Sequence, residues 1–65
     1  MVQVVRVPSG TGTRTLYLRE GCLVTHQQGS RRRDCVLRQL PDHEGRVLVE
    51  VDGKQERLAV ADLFA

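Results

Sequence analysis

The sequence predicts a small all-β domain of five to six short antiparallel strands that ends in a 3-10 turn. Valine and leucine alternate with polar residues over short segments, and turn-forming residues separate these segments roughly every 8–12 residues. No helical period is sustained along the chain. Residues 1–65 therefore form a single domain, which buries only about 60% of its unfolded surface and leaves little room for an internal active site.

The strands follow from these patterns in order along the chain. The predicted strands are residues 2–7, 13–19, 22–27, 34–40, 46–51 and 54–60, and the predicted turns or loops are residues 8–12, 20–21, 28–33, 41–45 and 52–53. In the first strand the alternation breaks at Val4 and Val5, which predicts a bulge or burial on both faces. In the second strand, Leu16 and Leu18 share one face.

The C-terminal part carries the clearest signal. Asp52-Gly53 follows three alternating valines and predicts a two-residue hairpin loop, because both central residues of a type I′ turn need positive φ. The pairs expected from this loop are Val51 with Lys54, Val49 with Glu56 and Val47 with Leu58. Residues 61–65 are too few for a stable helix and are predicted to form a 3-10 turn that brings Leu63 or Phe64 onto the end of the barrel.

Composition and charge favour a water-soluble binding domain. The chain is 40% hydrophobic and 28% charged, with a net charge of +2. No apolar run approaches the ~20 residues of a membrane span, and no signal peptide precedes the domain, so we expect a cytoplasmic protein that does not contact membranes. The mild positive charge permits a nucleic-acid or acidic partner without requiring one.

A basic segment is the sharpest functional feature. Arginine presents a planar fork of donors that suits phosphate oxygens. We therefore predict a nucleic-acid-binding patch in which a triple-arginine loop is joined by two nearby arginines: Arg31, Arg32, Arg33, Arg38 and Arg46. The alternative is a solvated loop whose charge is offset by Asp34 and Glu44, or a loop that contacts a protein partner.

The aromatic content limits how nucleic acid would be bound. The chain has one tyrosine and one phenylalanine, and Phe64 is assigned to the core. Binding sites for single strands normally stack bases on several exposed rings, and a cage for methylated ligands also needs more than one. Recognition of the backbone or of a duplex is the remaining nucleic-acid mode.

Metal and cofactor sites are not predicted. The chain contains two cysteines and two histidines, but their spacings match no zinc-finger pattern. Cys22 and His26 would share a strand face about 13 Å apart, at ~3.3 Å per residue, which is too far for one ion. Cys22 would lie opposite Cys35 if residues 28–29 centre the hairpin loop. A disulfide there is disfavoured in a reducing cytoplasm, so buried free thiols are expected.

Catalysis is not expected, and no catalytic residue is assigned. The glycine-rich residues 9–13 lack the lysine and the following helix of a phosphate-binding P-loop. Acidic residues fall in turns, where they are common for turn chemistry alone. No nucleophilic residue lies at a sequence spacing from His26 or His43 that is typical of a catalytic motif.

Residues 20–64 resemble an SH3-like barrel of the Tudor-like or KOW-like kind. The segments that carry the resemblance are EGCLV at 20–24, CVLR at 35–38, GRVLVEVDG at 45–53 and RLAVADL at 57–63. The pattern is similar to the C-terminal domains of ProQ-type RNA chaperones, the dimerisation domain of KorB and the C-terminal barrels of integrases. A small Sm-like fold accommodates the same strands. The resemblance implies a fold and not a function, and residues 1–19 add two strands that a minimal barrel does not need.

The sequence is consistent with two functions. The first is a non-enzymatic regulatory or accessory factor, bacterial or from a phage, that binds nucleic acid through the basic loop. The second is a protein-interaction module, either an adaptor or a phage or mobile-element inhibitor of a host protein, that uses an open sheet edge. A homodimer joined through Val2, Val4 and Tyr17 is an open alternative to a monomer in either case.

Overall fold

Seven antiparallel β-strands and one 3-10 turn make up the computed structural model, which describes residues 1–64. Two strands form a separate hairpin, and the other five form a sheet in the order β6-β5-β4-β3-β7. The elements are β1 (Gln3–Ser9), β2 (Gly12–Leu18), β3 (Leu23–Gln28), β4 (Arg31–Gln39), β5 (Arg46–Val51), β6 (Lys54–Ala59), the 3-10 turn (Val60–Asp62) and β7 (Leu63–Phe64). The predicted all-β fold with a C-terminal 3-10 turn is confirmed, and β7 is the additional strand.

The core lies between the inner faces of the two sheets. The hairpin of β1 and β2 contributes Val7, Leu16 and Leu18, each at most 2% exposed. The five-stranded sheet and the 3-10 turn contribute the other buried apolar side chains, Val24, Cys35, Leu37, Val47, Val49, Val60 and Leu63. The N-terminal hairpin is therefore one layer of a two-layer core and not an appendage to the five-stranded sheet.

The β1–β2 hairpin is longer and more regular than the sequence indicates. Its strands pair without a register shift down to Ser9 and Gly12, so the loop contains only two residues. Gly10 takes a φ of 58° in this turn, a value that glycine adopts without a Cβ clash. Val4 is 57% exposed, so the predicted bulge or two-faced burial at Val4 and Val5 is wrong. The sheet bulges instead between Leu37 and Gln39, where β4 pairs with β5.

The β3–β4 hairpin departs most from the prediction. Its loop contains only Gly29 and Ser30, because Gln28 already pairs with Arg31. A loop centred on residues 28–29 would place Cys22 opposite Cys35, but the observed register differs by two residues and places Val24 opposite Cys35. The backbone N–H of Leu37 donates to the carbonyl of Cys22. Both thiols are free, with Cys35 buried and Cys22 half-buried.

The two thiols are expected to differ in reactivity. Burial raises the pKa of the Cys35 thiol above its ordinary value, so the nucleophilic thiolate is scarce at neutral pH. Cys22 is half-buried and more accessible. With a disulfide reagent, native protein should show a fast Cys22 phase and a Cys35 phase slower by roughly tenfold or more. Cys22→Ser should leave the slow phase and Cys35→Ser the fast one; equal rates for both thiols would contradict this assignment.

The β5–β6 hairpin agrees with the prediction residue by residue. The expected cross-strand pairs of Val47, Val49 and Val51 are all present. Asp52 and Gly53 take φ values of 52° and 77°, as a type I′ turn requires. The sequence therefore specified this register through its turn.

The C-terminal residues close the structure against β3. After the 3-10 turn, Leu63 pairs with His26 and Phe64 with Thr25. Leu63 is completely buried, whereas Phe64 is 39% exposed, so the assignment of Phe64 to the core is wrong. Ala65, included in the predicted turn, lies outside the described residues. Among residues 1–64, no helix is long and apolar enough to span a membrane.

Arg14 of β2 ties the N-terminal hairpin to this C-terminal segment. Its guanidinium donates to the carbonyl oxygens of Ala61, at 2.8 Å, and of Leu63. Its Cζ atom also lies 3.8 Å from the ring centroid of Phe64, a cation–π geometry. The two sheets are thus joined by a charged side chain as well as by the apolar core.

Candidate nucleic-acid interface

The triple arginine begins β4 and does not lie in a loop, which corrects the predicted loop at residues 28–33. Alternate residues of a strand point to opposite faces of the sheet. Arg31 and Arg33 face the inner side, opposite Gln28 and His26 of β3. Arg32 faces the outer side. The hairpin end therefore presents guanidinium groups on both of its faces.

The other two predicted arginines lie on the outer face. Arg38 donates from its Nε to the Glu50 carboxylate at 3.1 Å, and Glu50 alternates with buried Val49. Arg46 is exposed at the start of β5, where it alternates with buried Val47. The five arginines thus do not form one patch: Arg32, Arg38 and Arg46 share the outer face, and Arg31 and Arg33 the inner one.

A bidentate ion pair fixes Arg33. Its two terminal nitrogens donate to the two carboxylate oxygens of Glu56 at 3.1 and 3.2 Å. The hydrogen bond with Glu56 raises the pKa of Arg33, and the same bond lowers the pKa of Glu56. Because both side chains are more than a third exposed, solvent screens this pair, and its main effect is to orient the guanidinium.

Arg31 and Arg32 remain available as cations. Within residues 1–64, no carboxylate lies within ion-pair distance of either guanidinium; the ion pairs there involve Arg33, Arg38 and Arg57. Asp34, expected to offset the arginines, instead accepts a hydrogen bond from the Thr25 hydroxyl at 3.2 Å. The end of the β3–β4 hairpin therefore carries two guanidinium groups, Arg31 and Arg32, that form no ion pair within the described residues.

A small cavity opens on the inner face of the same hairpin. Its volume is about 150 Å³, and its lining residues are His26, Gln28, Arg31 and Arg33. His26 is 4% exposed and lies deepest, whereas Gln28 and Arg31 are exposed and lie at the mouth. Among residues 1–64, no side-chain hydrogen bond involves the His26 imidazole. Every side chain of this lining can donate a hydrogen bond, so the cavity suits an anion.

Comparison with known proteins assigns no family. No family, curated protein or solved structure matches this chain.

A second, wider groove adjoins the C-terminal segment. Its volume is about 320 Å³, and it lies between the β1–β2 turn, the β3–β4 turn and residues 61–64. Arg14 lines the groove, but its guanidinium is already engaged by two carbonyls and by the Phe64 ring. Tyr17, the other aromatic residue, is 66% exposed on the outer face of the N-terminal hairpin. The two rings therefore do not form a common stacking surface.

The cysteines and histidines lie in separate parts of the fold. Within the described residues, no three His, Cys, Asp or Glu side chains approach closely enough to hold an ion. His26 lies on β3 and belongs to the basic cavity, and Cys35 is in the apolar core. The four candidate ligands Cys22, His26, Cys35 and His43 thus serve different parts of the fold.

Asp42 organises the turn that leads into Arg46. Its Oδ1 accepts the backbone N–H groups of Glu44 at 2.8 Å and of Arg46 at 3.0 Å, and its Oδ2 lies 3.5 Å from Arg57. The hydrogen bond from the Arg46 N–H is the main cause that lowers the pKa of Asp42. This carboxylate therefore fixes where β5 begins.

The lowered pKa values of Asp42 and Glu56 predict acid sensitivity. A carboxyl group with a lowered folded-state pKa contributes stability above its ordinary pKa of about 4, and this stability is lost as the pH falls through the folded-state value. The urea midpoint should therefore fall as the pH is lowered from about 5 to about 2. In the double variant Asp42→Asn, Glu56→Gln the midpoint should fall less; an unchanged pH dependence would contradict the assignment.

Sequence reasoning did not identify His26, Gln28 and Glu56 as site residues. The signal for the first two was Gly29-Ser30, a two-residue hairpin loop type that places Gln28 opposite Arg31. Gly29 has a φ of 61°, consistent with such a turn. Glu56 reaches Arg33 because β6 and β4 flank β5 in the folded sheet, and both side chains lie on its inner face. No local sequence pattern signals that contact.

Proposed function

We propose that this chain is a non-enzymatic binding protein that contacts the phosphate backbone of nucleic acid with the end of its β3–β4 hairpin. The observation that carries this proposal is the pair of uncompensated guanidinium groups, Arg31 and Arg32, on the two faces of that hairpin. Arginine readily forms charge-assisted hydrogen bonds with phosphate oxygens. A regulatory or accessory role is consistent with so small a domain.

The proposed contact is with the backbone and not with the bases. Tyr17 and Phe64 lie in different parts of the molecule, and Phe64 is stacked on Arg14. Stacking of successive bases needs several accessible rings. Arginines on a projecting hairpin can instead follow phosphates along a strand or across a groove, which predicts weak sequence preference and strong salt dependence.

We also propose that residues 20–64 belong to an SH3-like fold family. Strands β3 to β7 span the region of the resemblance, the 3-10 turn precedes the last strand, and that strand returns beside β3. This order supports an SH3-like arrangement for residues 20–64. The N-terminal hairpin then completes the core from outside that unit.

Fluorescence anisotropy with labelled duplex DNA, single-stranded DNA and RNA tests the proposal. Binding should weaken steeply between ~50 and ~200 mM salt, and Arg31→Ala, Arg32→Ala should reduce the slope of log affinity against log salt by about 2. The matched control is Arg6→Ala, Arg19→Ala, which removes two exposed arginines that make no ion pair with residues 1–64. Absence of binding at ~50 mM salt, or an equal loss in the control, would overturn the proposal.

A second candidate function is a protein-interaction module that associates through the outer face of the N-terminal hairpin. Val4 and Tyr17 are cross-strand partners there and are 57% and 66% exposed. Neighbouring Val2 is also exposed, so this face offers the apolar contact of a symmetric dimer. Sedimentation at increasing concentration should show a dimer that Tyr17→Lys disrupts. Leu23→Lys, on the outer face of the other sheet, should leave the dimer intact, and a monomer at all concentrations would exclude self-association through this face.

A further inference from the structure

We propose that the cavity between β3 and β4 receives the terminal phosphate monoester of a nucleic-acid strand. The donors are its lining residues His26, Gln28, Arg31 and Arg33. This inference rests on the proposed nucleic-acid function and adds a preference for strand ends to it.

The buried imidazole is the first argument. Only 4% of the His26 surface is exposed, yet its ring makes no hydrogen bond with the described residues. No buried side-chain nitrogen or oxygen among residues 1–64 lacks a partner, so the ring nitrogens of His26 that make no hydrogen bond are accessible. The part of the ring that remains accessible faces the cavity, and at least one ring nitrogen carries a proton to donate. The geometry therefore leaves a position for an acceptor beside His26.

The charge of the lining is the second argument. Arg31 forms no ion pair with residues 1–64, and Arg33 is oriented by Glu56 while keeping its Nε–H and its outer N–H groups for another acceptor. Gln28 adds amide donors at the mouth. Two guanidinium groups against one carboxylate leave the site positive. A phosphate monoester, with a charge of about −1.5 to −2 and three acceptor oxygens, satisfies more of these donors than a singly charged diester does.

Size and access are the third argument. At about 150 Å³ the cavity is well below the ~300–1,000 Å³ of pockets that enclose whole ligands, so it holds one chemical group and not a nucleotide. His26 lies at the deep end, and the exposed Gln28 and Arg31 lie at the mouth. An internal phosphodiester must leave such a cavity through two covalent bonds, whereas a terminal phosphate needs only one. A strand end therefore fits where an internal phosphate does not.

Anisotropy with one oligonucleotide prepared in three forms tests this inference. The forms carry a 5′-phosphate, a 3′-phosphate or hydroxyls at both ends, with the fluorophore attached to an internal base. At ~50 mM salt we expect one phosphorylated form to bind about tenfold more tightly than the hydroxyl form, which corresponds to one additional charge-assisted contact. His26→Leu should abolish this ratio, and Gln28→Leu, at the exposed mouth, should reduce it without risk to the core. Circular dichroism checks that both variants fold.

Arg32→Ala is the matched control because Arg32 lies on the opposite face of the same hairpin. It should weaken the binding of all three oligonucleotides alike and leave the ratio unchanged. Equal, salt-sensitive binding of the three forms would overturn the terminal-phosphate site while the proposed function stands. If no oligonucleotide binds, the proposed function fails and this inference falls with it, even if inorganic phosphate or a peptide carboxylate shifts the His26 ring resonances in NMR spectra.

Discussion

Replacement of Leu18 by alanine is expected to lower the free energy of unfolding by about 2–5 kcal/mol. Leu18 is completely buried and extends from the N-terminal hairpin into the core shared with the five-stranded sheet. A domain of this length has a total stability of about 3–10 kcal/mol, so this loss is a large fraction of the total and should lower the urea midpoint strongly. Urea unfolding followed by far-UV circular dichroism measures the change.

Leu23→Ala is the matched control for this prediction. The same three carbon atoms are removed, but Leu23 is 72% exposed on the outer face of β3. We expect a change within about 0.5 kcal/mol. Similar effects of the two substitutions would mean that the N-terminal hairpin does not share the core, and that residues 20–64 carry the stability alone.

Arg14→Met is expected to have the next largest effect, a loss of about 1–3 kcal/mol. The substitution keeps an unbranched apolar stem but removes the donors to the carbonyls of Ala61 and Leu63 and the cation above Phe64. The partly buried carbonyl of Leu63 then loses a charged donor. Urea unfolding gives the stability, and amide hydrogen exchange of residues 61–64 should speed up more than that of β5.

Arg6→Met provides the comparison for Arg14. Arg6 lies on β1 of the same hairpin, is exposed, and makes no side-chain hydrogen bond to residues 1–64. Its replacement should change stability by less than about 0.5 kcal/mol. If both variants behave like the unsubstituted protein, the apolar core alone holds the two sheets together.

The β5–β6 and β3–β4 hairpins show which parts of the fold local sequence can specify. Asp52-Gly53 is flanked by valines that alternate up to the turn, so both the loop and the register were evident. Gly29-Ser30 is flanked by polar residues, because the ends of β3 and β4 extend beyond the apolar core. Strand residues outside a core need not be apolar, and the triple arginine therefore resembled a loop.

The misplaced bulge has a related cause. Val4 and Val5 are adjacent valines, and local sequence indicates only that one of them departs from simple alternation. Whether the second face of a strand is covered depends on the partner layer, and here the outer face of the N-terminal hairpin is open, with Val4 exposed. The observed irregularity beside Arg38 arises from the pairing of β4 with β5, which no local pattern indicates.

The candidate site was predictable as residues but not as an arrangement. The arginines were evident in the sequence, yet their division between two faces depends on where β4 begins. The Arg33–Glu56 pair joins strands that are far apart in the sequence, whereas the cavity beside His26 depends on the register of the β3–β4 hairpin. Long-range pairing decides which of these cations is already neutralised and which is free to meet a ligand.

The return of β7 to β3 has a consequence for the order of folding. Four of the five strand pairings within residues 1–64 join consecutive strands, and hairpins form in roughly 1–10 μs, whereas Leu63 must reach His26 from a strand much later in the chain. Until β7 docks, β3 presents an open row of backbone donors and acceptors, and Leu63 is not yet buried. The interval before that closure is therefore when this chain is most exposed to intermolecular strand pairing, and refolding at high protein concentration should give its lowest yields for that reason.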